Sequence, residues 1–243
     1  MAAFELLVIV PVYNEQDSLY RLRSEMDVFL DACTLRAGVL FVDDGSVDDS
    51  LARIRKICRE NDRYGYISLE RNLGLSGALK AGLTHCDSRW IGYIDADLQT
   101  SPSDFLLYIP YLDDFDLVTG HRHLRRDPLV KRLSSVVANS FRRAVLKDGV
   151  RDTGCPLKII KADMARSLPF FKGMHRFIPA LVQTLGGTVK EIPVQHFPRQ
   201  EGVSKYRLSN RLIHPFLDTL AVYWMKKRTI RFGAKEKLIP GNM

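Results

Sequence analysis

The chain has 243 residues, of which 46% are hydrophobic and 26% charged, a composition typical of a globular protein and not of a disordered or fibrous one. Its 36 Lys and Arg residues outnumber 28 Asp and Glu residues, and the net charge of +8 favours a polyanionic partner: nucleic acid, a phosphorylated substrate or an anionic membrane. The four cysteines form no CxxC or Cys/His cluster, so neither a zinc site nor a dense disulfide framework is expected.

Short apolar runs alternate with longer amphipathic stretches through the first half of the chain. Strands are predicted at 6–10, 39–42, 66–69, 91–94 and 117–119, and the helices among them at about 16–32, 47–60, 75–85 and 103–109. This order predicts a mostly parallel, doubly wound α/β sheet, in which ligands bind at the carboxyl ends of the strands. The first apolar segment contains Glu5 and follows no basic residue, so we expect a buried strand and not a signal peptide.

The pattern changes beyond Gly120, where a basic stretch runs from His121 to Arg132. The elements predicted after it are a helix at 130–144, a strand at 188–194 and a final helical region from about 204. The chain has no internal repeat and no linker-like segment. We therefore expect one domain at 1–211, followed by an amphipathic and basic C-terminal extension at 212–243.

Polar residues follow each of the first two predicted strands. Pro11 is expected to end the first strand, and Asn14 or Asp17 to cap the helix after it, whose free amides can meet an anion. The second strand is followed by Asp43 and Asp44, and two adjacent carboxylates are costly to pack unless a donor-rich ligand, a cation or water satisfies them. The alternative, in which this turn only caps the next helix, is the weaker interpretation.

The segment Asp95-Ala96-Asp97-Leu98-Gln99 follows the fourth predicted strand and is the strongest candidate site. In an extended chain residues two apart point to the same side, so Asp95, Asp97 and Gln99 can converge with oxygen ligands. Such ligands suit Mg²⁺ or Mn²⁺, which bind through one or two carboxylates plus substrate phosphates. The chain has neither GxGxxG after its first strand nor GxxxxGK[ST], which argues against a dinucleotide-dependent oxidoreductase and a P-loop NTPase.

Four of these motifs, in this order, resemble glycosyltransferase family 2 of the GT-A fold: Val10–Glu15, Val42–Ser46, Arg71–Gly74 and Asp95–Gln99. Later motifs are similar to those of the polyprenyl-phosphate, or dolichyl-phosphate-mannose-synthase-like, branch: Gly120–Arg122 with Arg125–Asp127, Ser135 with Asn139, Asp152–Cys155, and Pro198–Arg199 followed by Gly202–Tyr206. The match spans 4–228 and agrees in order as well as in residue type. The resemblance implies an inverting, metal-dependent hexosyltransferase that moves a sugar from a UDP- or GDP-sugar to a polyprenyl phosphate.

The same resemblance implies roles for individual residues. Those implied to line the nucleotide pocket are Pro11, Tyr13, Glu15, Asp43, Asp44 and Asn72, with Asp95 beside the donor. Asp97 and Gln99 are implied to hold the Mg²⁺ or Mn²⁺ ion against the diphosphate, which makes Asp95 and Asp97 catalytic. Those implied to receive the acceptor phosphate are Arg122, Arg126, Ser135, Arg199 and Lys205.

Asp152 is the third catalytic candidate, and its role depends on the acceptor. A hydroxyl acceptor needs a general base, and Asp152 is the candidate for it. A phosphate monoester has a second pKa of about 6, so near neutral pH it needs positioning more than deprotonation. Asp152 is therefore expected to act as a base, to orient the acceptor or to pair with Arg151.

Apolar residues recur at helical spacing in the C-terminal extension, at Phe216, Leu217, Leu220, Ala221 and Trp224, and basic residues follow them. Such a segment lies in an anionic membrane interface, packs on the catalytic domain or meets a second subunit in a homo-oligomer. The chain ends at Met243 without the transmembrane helices that many members of the family carry. We expect a cytoplasmic protein, peripheral at the inner face of the cell membrane.

Two other functions remain open at this point. The first is a family 2 glycosyltransferase that acts on a hydroxyl of a cell-surface glycan or lipid. The second is a non-enzymatic, basic module that binds nucleotide sugars or nucleic acid. A nucleic-acid partner is not expected, because the basic residues are not interleaved with aromatic residues as single-strand binding requires.

Overall fold

A seven-stranded sheet in the order β3-β2-β1-β4-β6-β5-β7 organises the fold, which a computed structural model describes for residues 4–122, 139–198 and 213–230. The strands are β1 (Leu6–Val12), β2 (Ala37–Asp43), β3 (Tyr64–Ser68), β4 (Trp90–Tyr93), β5 (Leu117–Arg122), β6 (Lys158–Lys161) and β7 (Val189–Val194). β6 runs antiparallel to its neighbours β4 and β5, and the other pairs are parallel. The prediction of a mostly parallel α/β sheet is confirmed.

Helices cover both faces of this sheet. They are α1 (Leu19–Ala32), α2 (Ser50–Glu60), α3 (Leu75–His85), α4 (139–146, as far as it is described), α5 (Ala162–Arg166), α6 (Ile178–Thr184) and α7 (Ile213–Arg228). The segment predicted as a helix at 103–109 forms two 3₁₀ turns instead, Pro102–Leu107 and Ile109–Tyr111. Pro102 and Pro110 favour these short turns, because proline suits a first helical turn and interrupts a longer helix.

Two apolar clusters, one on each face, bury the sheet. Phe29 of α1 and Ile54 of α2 belong to the cluster on one face, and Leu79 of α3 and Leu181 of α6 belong to the cluster on the other. β1 is almost continuously apolar, which suits a parallel strand that is covered on both sides. Six strands share one direction, so their carboxyl ends and the first residue of β6 lie at one edge of the sheet, which we call the site edge.

The predicted strand and helix ends near this edge need correction. Pro11 does not end β1, which continues to Val12, because β4 pairs with β1 only as far as Ile9 and leaves Pro11 with a single neighbouring strand. α1 begins after Ser18, so neither Asn14 nor Asp17 caps it. α2 likewise begins after Asp49, and the turn that follows β2 does not cap it.

β6 was not predicted from the sequence. It has only four residues, Lys-Ile-Ile-Lys, and each of its ends is a lysine, so it lacks the longer apolar run that identifies β1 and β2. Its pairing on both sides compensates for its length. The short strand therefore owes its place to the sheet around it and not to its own pattern.

α7 packs on the rest of the chain through one face. Val222 and Thr219 are buried, Lys226 Nζ donates a hydrogen bond of 2.6 Å to the carbonyl of Leu146, and the ring of Phe216 stacks at 4.4 Å on that of Phe141. Nowhere in the described ranges does a helix have both the length and the apolar character needed to cross a membrane. The division of the chain at 211 stays a prediction.

Candidate active site

The loops that follow β1 and β2 are tied together at the site edge. The backbone N–H of Asn14 donates to Ser46 Oγ at 3.0 Å, and the Asn14 side chain accepts from the N–H of Val47 at 2.8 Å. Asn14 adopts a left-handed conformation with φ of 51°, which asparagine tolerates well. These bonds explain why Asn14 is not a helix cap: its side chain fixes the neighbouring loop. Pro11, Tyr13 and Glu15, predicted to line the nucleotide pocket, lie half-buried beside this contact.

Asp43 and Asp44 are both buried, and backbone and hydroxyl groups satisfy part of their hydrogen-bonding capacity. Asp43 accepts from the N–H of Ser46 at 3.2 Å and from Ser68 Oγ at 3.1 Å. Asp44 accepts from two backbone N–H groups just before α3, at 2.7 and 2.9 Å. Burial raises the pKa of Asp44 above its usual value although these bonds oppose the shift. Asp44 therefore fixes the start of α3, a contribution that the sequence did not reveal.

Gly45 allows the loop after β2 to approach the loop after β3 closely. Its φ is +69°, and an added Cβ would lie 2.7 Å from the backbone carbon of Arg71 and 2.9 Å from the backbone nitrogen of Asn72. Only glycine fits a position that combines a left-handed backbone with so close an approach. Asn72 itself is exposed at the site edge, next to this contact.

The segment after β4 alternates in exposure as predicted, but it is not extended. Ala96 and Leu98 are buried in the apolar core, while the three polar residues between and around them, Asp95, Asp97 and Gln99, are half-buried. Leu98 has φ of 52°, and the N–H of Gln99 donates to Asp97 Oδ1 at 3.2 Å, so the chain turns here. A turn, and not strand geometry, therefore accompanies the alternation in exposure.

Asp95 is the electrostatic centre of the site. Burial and the adjacent charge of Asp97 raise its pKa to about 6, while a 2.6 Å hydrogen bond donated by the Tyr93 hydroxyl opposes the shift. Lys158 and Arg122 are close enough to lower it electrostatically as well. Two neighbouring carboxylates in a partly buried site form an arrangement that a cation stabilises.

Arg122 and Asp152 form an ion pair that faces this site. The Nε and Nη2 atoms of Arg122 donate to the two carboxylate oxygens of Asp152 at 2.7 and 2.9 Å, and the Arg122 N–H donates to Oδ2 at 3.2 Å. Of the three alternatives for Asp152, pairing with Arg151 is not the one observed: the partner is Arg122, while Arg151 is exposed and its backbone N–H donates to Glu191. A two-point guanidinium–carboxylate contact is strongly directional, so it fixes both side chains.

The remaining predicted acceptor residues, Arg126, Ser135, Arg199 and Lys205, lie outside the described residues. Within the described ranges, no group of three or more His, Cys, Asp or Glu side chains is placed to hold a metal ion. The side-chain oxygens of Asp97 and Gln99, next to Asp95, fit a hard divalent cation that takes its other ligands from a diphosphate and water, and they do not form a closed protein cage.

The structure also reveals polar contacts near the site that the sequence analysis missed. The buried hydroxyl of Ser76, in the first turn of α3, lies 3.0 Å from His175 Nδ1 and accepts from the N–H of Gly173 at 3.1 Å. Burial lowers the pKa of His175 to about 3, so the ring is neutral. The only sequence signal was a pair of polar residues, His175 and Arg176, within an otherwise apolar segment.

Known proteins resemble this chain in sequence and in fold. The profile of glycosyl transferase family 2 matches residues 7–168. A dodecaprenyl-phosphate galacturonate synthase from Rhizobium johnstonii is 33% identical over 237 residues, which cover 95% of this chain and 70% of that protein. An undecaprenyl-phosphate 4-deoxy-4-formamido-L-arabinose transferase from Edwardsiella ictaluri is 32% identical over 213 residues, or 87% of this chain and 65% of that protein. The chain thus spans about two thirds of the length of these relatives.

A solved structure supports the fold assignment. Glucosyl-3-phosphoglycerate synthase from Mycobacterium tuberculosis, crystallised with Mn²⁺, UDP-glucose and phosphoglyceric acid, superposes with a TM-score of 0.68 at 16% identity over 92% of this chain and 79% of that one. The predicted GT-A fold is confirmed by this match together with the sheet. The family profile covers well over half of the chain, and the motifs at the site edge fall within it. The chain therefore belongs to glycosyl transferase family 2.

Proposed function

We propose that the protein is an inverting, metal-dependent hexosyltransferase that moves a sugar from a nucleotide-sugar donor to a polyprenyl phosphate. The observation that carries the proposal is the similarity to two transferases whose names specify a polyprenyl phosphate, over 95% and 87% of this chain. The site edge supports it with a carboxylate-rich half and an arginine-bearing half next to each other. These halves suit a metal-bound diphosphate and a phosphate acceptor, respectively.

On the donor side, the chain's residues bind and orient the nucleotide sugar. We propose that Asp97 and Gln99 hold Mg²⁺ or Mn²⁺ and that Asp95 lies beside the sugar. The residues proposed to line the nucleotide are Pro11, Tyr13, Glu15, Asp43, Asp44 and Asn72. When bound, the ion supplies positive charge that stabilises the leaving nucleoside diphosphate.

On the acceptor side, Arg122 is proposed to bind the phosphate, together with Arg126, Ser135, Arg199 and Lys205. Asp152 engages Arg122 through both of its carboxylate oxygens, which favours orientation of the guanidinium over removal of a proton from the acceptor. An ionised phosphate needs such positioning and no base. The same contact speaks against a hydroxyl acceptor, for which Asp152 was the candidate base.

A transfer assay tests the proposal. The protein is incubated with UDP- and GDP-sugars, Mg²⁺ or Mn²⁺, and either undecaprenyl phosphate or a hydroxyl-bearing glycan. We expect transfer to the lipid phosphate only, and a loss of about 100-fold or more in Asp97→Asn, because that residue contacts the ion. Asp113→Asn, which alters an exposed carboxylate paired with Arg89, should stay within about twofold of wild type.

Two results would contradict the proposal. Transfer to the glycan alone would favour the hydroxyl-acceptor alternative. The absence of transfer and hydrolysis with every nucleotide sugar, combined with oligonucleotide binding that weakens steeply with salt, would favour a basic binding module. Family membership disfavours the second outcome.

We further propose that residues 1–211 form the catalytic domain and that the extension at 212–243 brings it to the inner face of the cell membrane from the cytoplasm. The outward face of α7 carries exposed apolar residues, among them Leu217, Leu220 and Trp224. Lys227 and Arg228 follow at its end and lie over the Tyr223 and Trp224 rings at 5.7 and 5.9 Å. An apolar helix face beside basic residues suits an anionic lipid surface.

A further inference from the structure

Lys158 is a buried lysine at the site edge to which the proposed reaction assigns no role. It is the first residue of β6 and only 2% exposed. Its partners in the sheet are Tyr93 of β4 and Thr119 of β5, so its side chain emerges between the strands that carry Asp95 and Arg122. Lysine is almost never buried so completely unless it has partners.

The ammonium group is held by the turn that carries Asp152. Lys158 Nζ donates hydrogen bonds to the backbone carbonyl of Cys155 and, at 3.4 Å, to that of Thr153. Both residues are buried, and the turn is closed by the Cys155 N–H, which donates to the carbonyl of Asp152 at 3.3 Å. Lys158 thus fixes the backbone of the turn, while Arg122 holds the side chain of Asp152.

The same side chain reaches the donor half of the site. Lys158 Nζ lies 5.8 Å from the centre of the Tyr93 ring, and the Tyr93 hydroxyl donates to Asp95 at 2.6 Å. Burial lowers the pKa of Lys158, whereas Cys155 and then the charges of Asp152 and Asp95 oppose that shift. A buried cation therefore has a carboxylate from each half of the site near it, which offsets part of the cost of its burial.

Lys161, at the other end of β6, shows what an ordinary structural lysine of this strand does. Its side chain is 41% exposed and pairs with Asp116 at 3.4 Å, far along the strand from the site edge. It lies over the ring of Trp90 at 5.9 Å, much as Lys158 lies over Tyr93. The two lysines therefore lie on the same strand, and each lies over an aromatic ring of its own. They differ in burial and in contact with the site.

We propose that Lys158 is a positioning residue for the transfer reaction, which sets the acceptor-side turn Asp152–Cys155 and the donor-side pair Tyr93–Asp95 at a fixed separation. The inference rests on the proposed function. Group transfer between two bound substrates depends steeply on how the two are placed, since a displacement of about 1 Å can cost about 100-fold in rate. A buried lysine tied to both halves by hydrogen bonds and ring contact limits that displacement.

The test compares Lys158→Met with Lys161→Met as the matched control. Methionine keeps most of the aliphatic length of lysine and removes the donor and the charge. We expect Lys158→Met to lower kcat about tenfold or more while the donor KM changes less than about threefold, because Lys158 is not among the residues proposed to line the nucleotide. Lys161→Met should change neither by more than about twofold.

Hydrogen exchange separates positioning from a general loss of stability. In Lys158→Met, the amides of 152–155 and 157 should exchange about tenfold faster or more, while those of β1 and α1 keep their protection. If the methionine variant does not fold, Lys158→Gln, which keeps an N–H donor without the charge, is measured instead. Faster exchange throughout the protein, or a kcat within about twofold of wild type, would overturn the inference.

The two proposals fail in different ways. A wild-type protein that transfers no sugar contradicts the proposed function, and the exchange rates of 152–155 and 157 then decide alone whether Lys158 fixes the turn. A wild-type protein that transfers sugar, with Lys158→Met unaffected in kcat and exchange, contradicts this inference and leaves the proposed function intact.

Discussion

At the scale of single residues, the site edge is held together by side chains that bind backbone. Asp44 accepts from two N–H groups before α3, Asn14 bridges to the loop after β2, and Lys158 donates to two carbonyls of the Asp152–Cys155 turn. The contacts of Asp44 and Asn14 join segments about thirty residues apart, whereas those of Lys158 join residues only a few positions apart. None of them follows from local helix or strand preference. The polar residues at the site edge therefore shape the loops as well as presenting groups to a ligand.

Asp152 provides the first prediction at this scale. Because both of its oxygens accept from Arg122, we expect Asp152→Asn to lower transfer to a lipid phosphate by about tenfold or less, as a loss of orientation. Removal of a general base would cost about 100-fold to 10,000-fold and would change the pH dependence of kcat. Rates measured from pH 6 to 9 for wild type and variant distinguish the two. A large loss with a displaced pH profile would restore the base role.

Sequence patterns predicted the acidic half of this site better than its supports. Asp95, Asp97 and Gln99 were predicted on one side of the chain, and the exposure of the segment alternates accordingly, although a turn centred on Leu98 accompanies the alternation. The contact of Ser76 with His175 could not be predicted, because the two residues are 99 positions apart. The role of Lys158 could not be predicted either, because its partners are backbone carbonyls, which carry no residue-specific signal. Partners set by the fold leave no periodic trace in the sequence.

At the scale of elements, a buried ion pair links α4 to the segment that leads to Asp152. Arg142 and Asp148 are both buried, Arg142 Nη1 donates to Asp148, and Arg142 Nη2 donates to the carbonyl of Val150 at 2.7 Å. The carbonyl of Asp148 accepts from the Gln183 side chain of α6 at 2.9 Å. These contacts fix α4 to Val150, which lies two residues before Asp152 in the chain.

Breaking this pair should be costly. Arg142→Met leaves the Asp148 carboxylate buried without its cation, so we expect the free energy of unfolding to fall by about 3–5 kcal/mol. Arg89→Met, which breaks an exposed pair with Asp113, should lower it by about 1 kcal/mol or less. Urea unfolding of both variants measures the difference. Equal effects would show that burial of the Arg142 pair adds nothing.

The apolar pattern of each strand explains which elements were predictable, since β4 is as short as β6 but carries no lysine and was predicted. β1 and β2 have seven residues each and are almost wholly apolar, so their pattern identified them from sequence. β6 has four residues with a lysine at each end, and only its pairing with β4 and β5 makes it a strand. The reversal of direction that β6 introduces was therefore invisible before the structure.

At the scale of the whole molecule, the outward face of α7 is the exposed apolar surface that stands beside basic residues. Phe216, Leu217, Leu220 and Trp224 were predicted to share one side of a helix, and the structure exposes all four while Val222 packs inward. The helix thus packs through Val222 and Met225, and the partly exposed Phe216 also stacks on Phe141. That arrangement leaves a hydrophobic face for lipid or for a second copy of the chain.

Vesicle flotation tests the membrane proposal. The full chain should float with vesicles that contain about 30% anionic lipid, and less so as salt increases, because the basic residues contribute electrostatically. Leu217→Gln combined with Trp224→Gln should abolish flotation. The control is Val28→Gln, which alters an equally exposed apolar residue on α1 and should leave flotation unchanged. If the wild type forms a dimer and does not bind vesicles, and the α7 variant is monomeric, the face of α7 contacts a second subunit and not lipid.

The antiparallel course of β6 has a consequence for the connection that precedes it. β5 ends at Arg122 and β6 begins at Lys158, and both points lie at the same edge of the sheet. The connection between them can therefore lengthen or shorten without shifting the register of any strand, and doubling its length costs only about 0.6 kcal/mol in closure entropy. The residues proposed to bind the donor lie at or after the ends of β1, β2, β3 and β4 and outside this connection, so a change in its length leaves their strands in place.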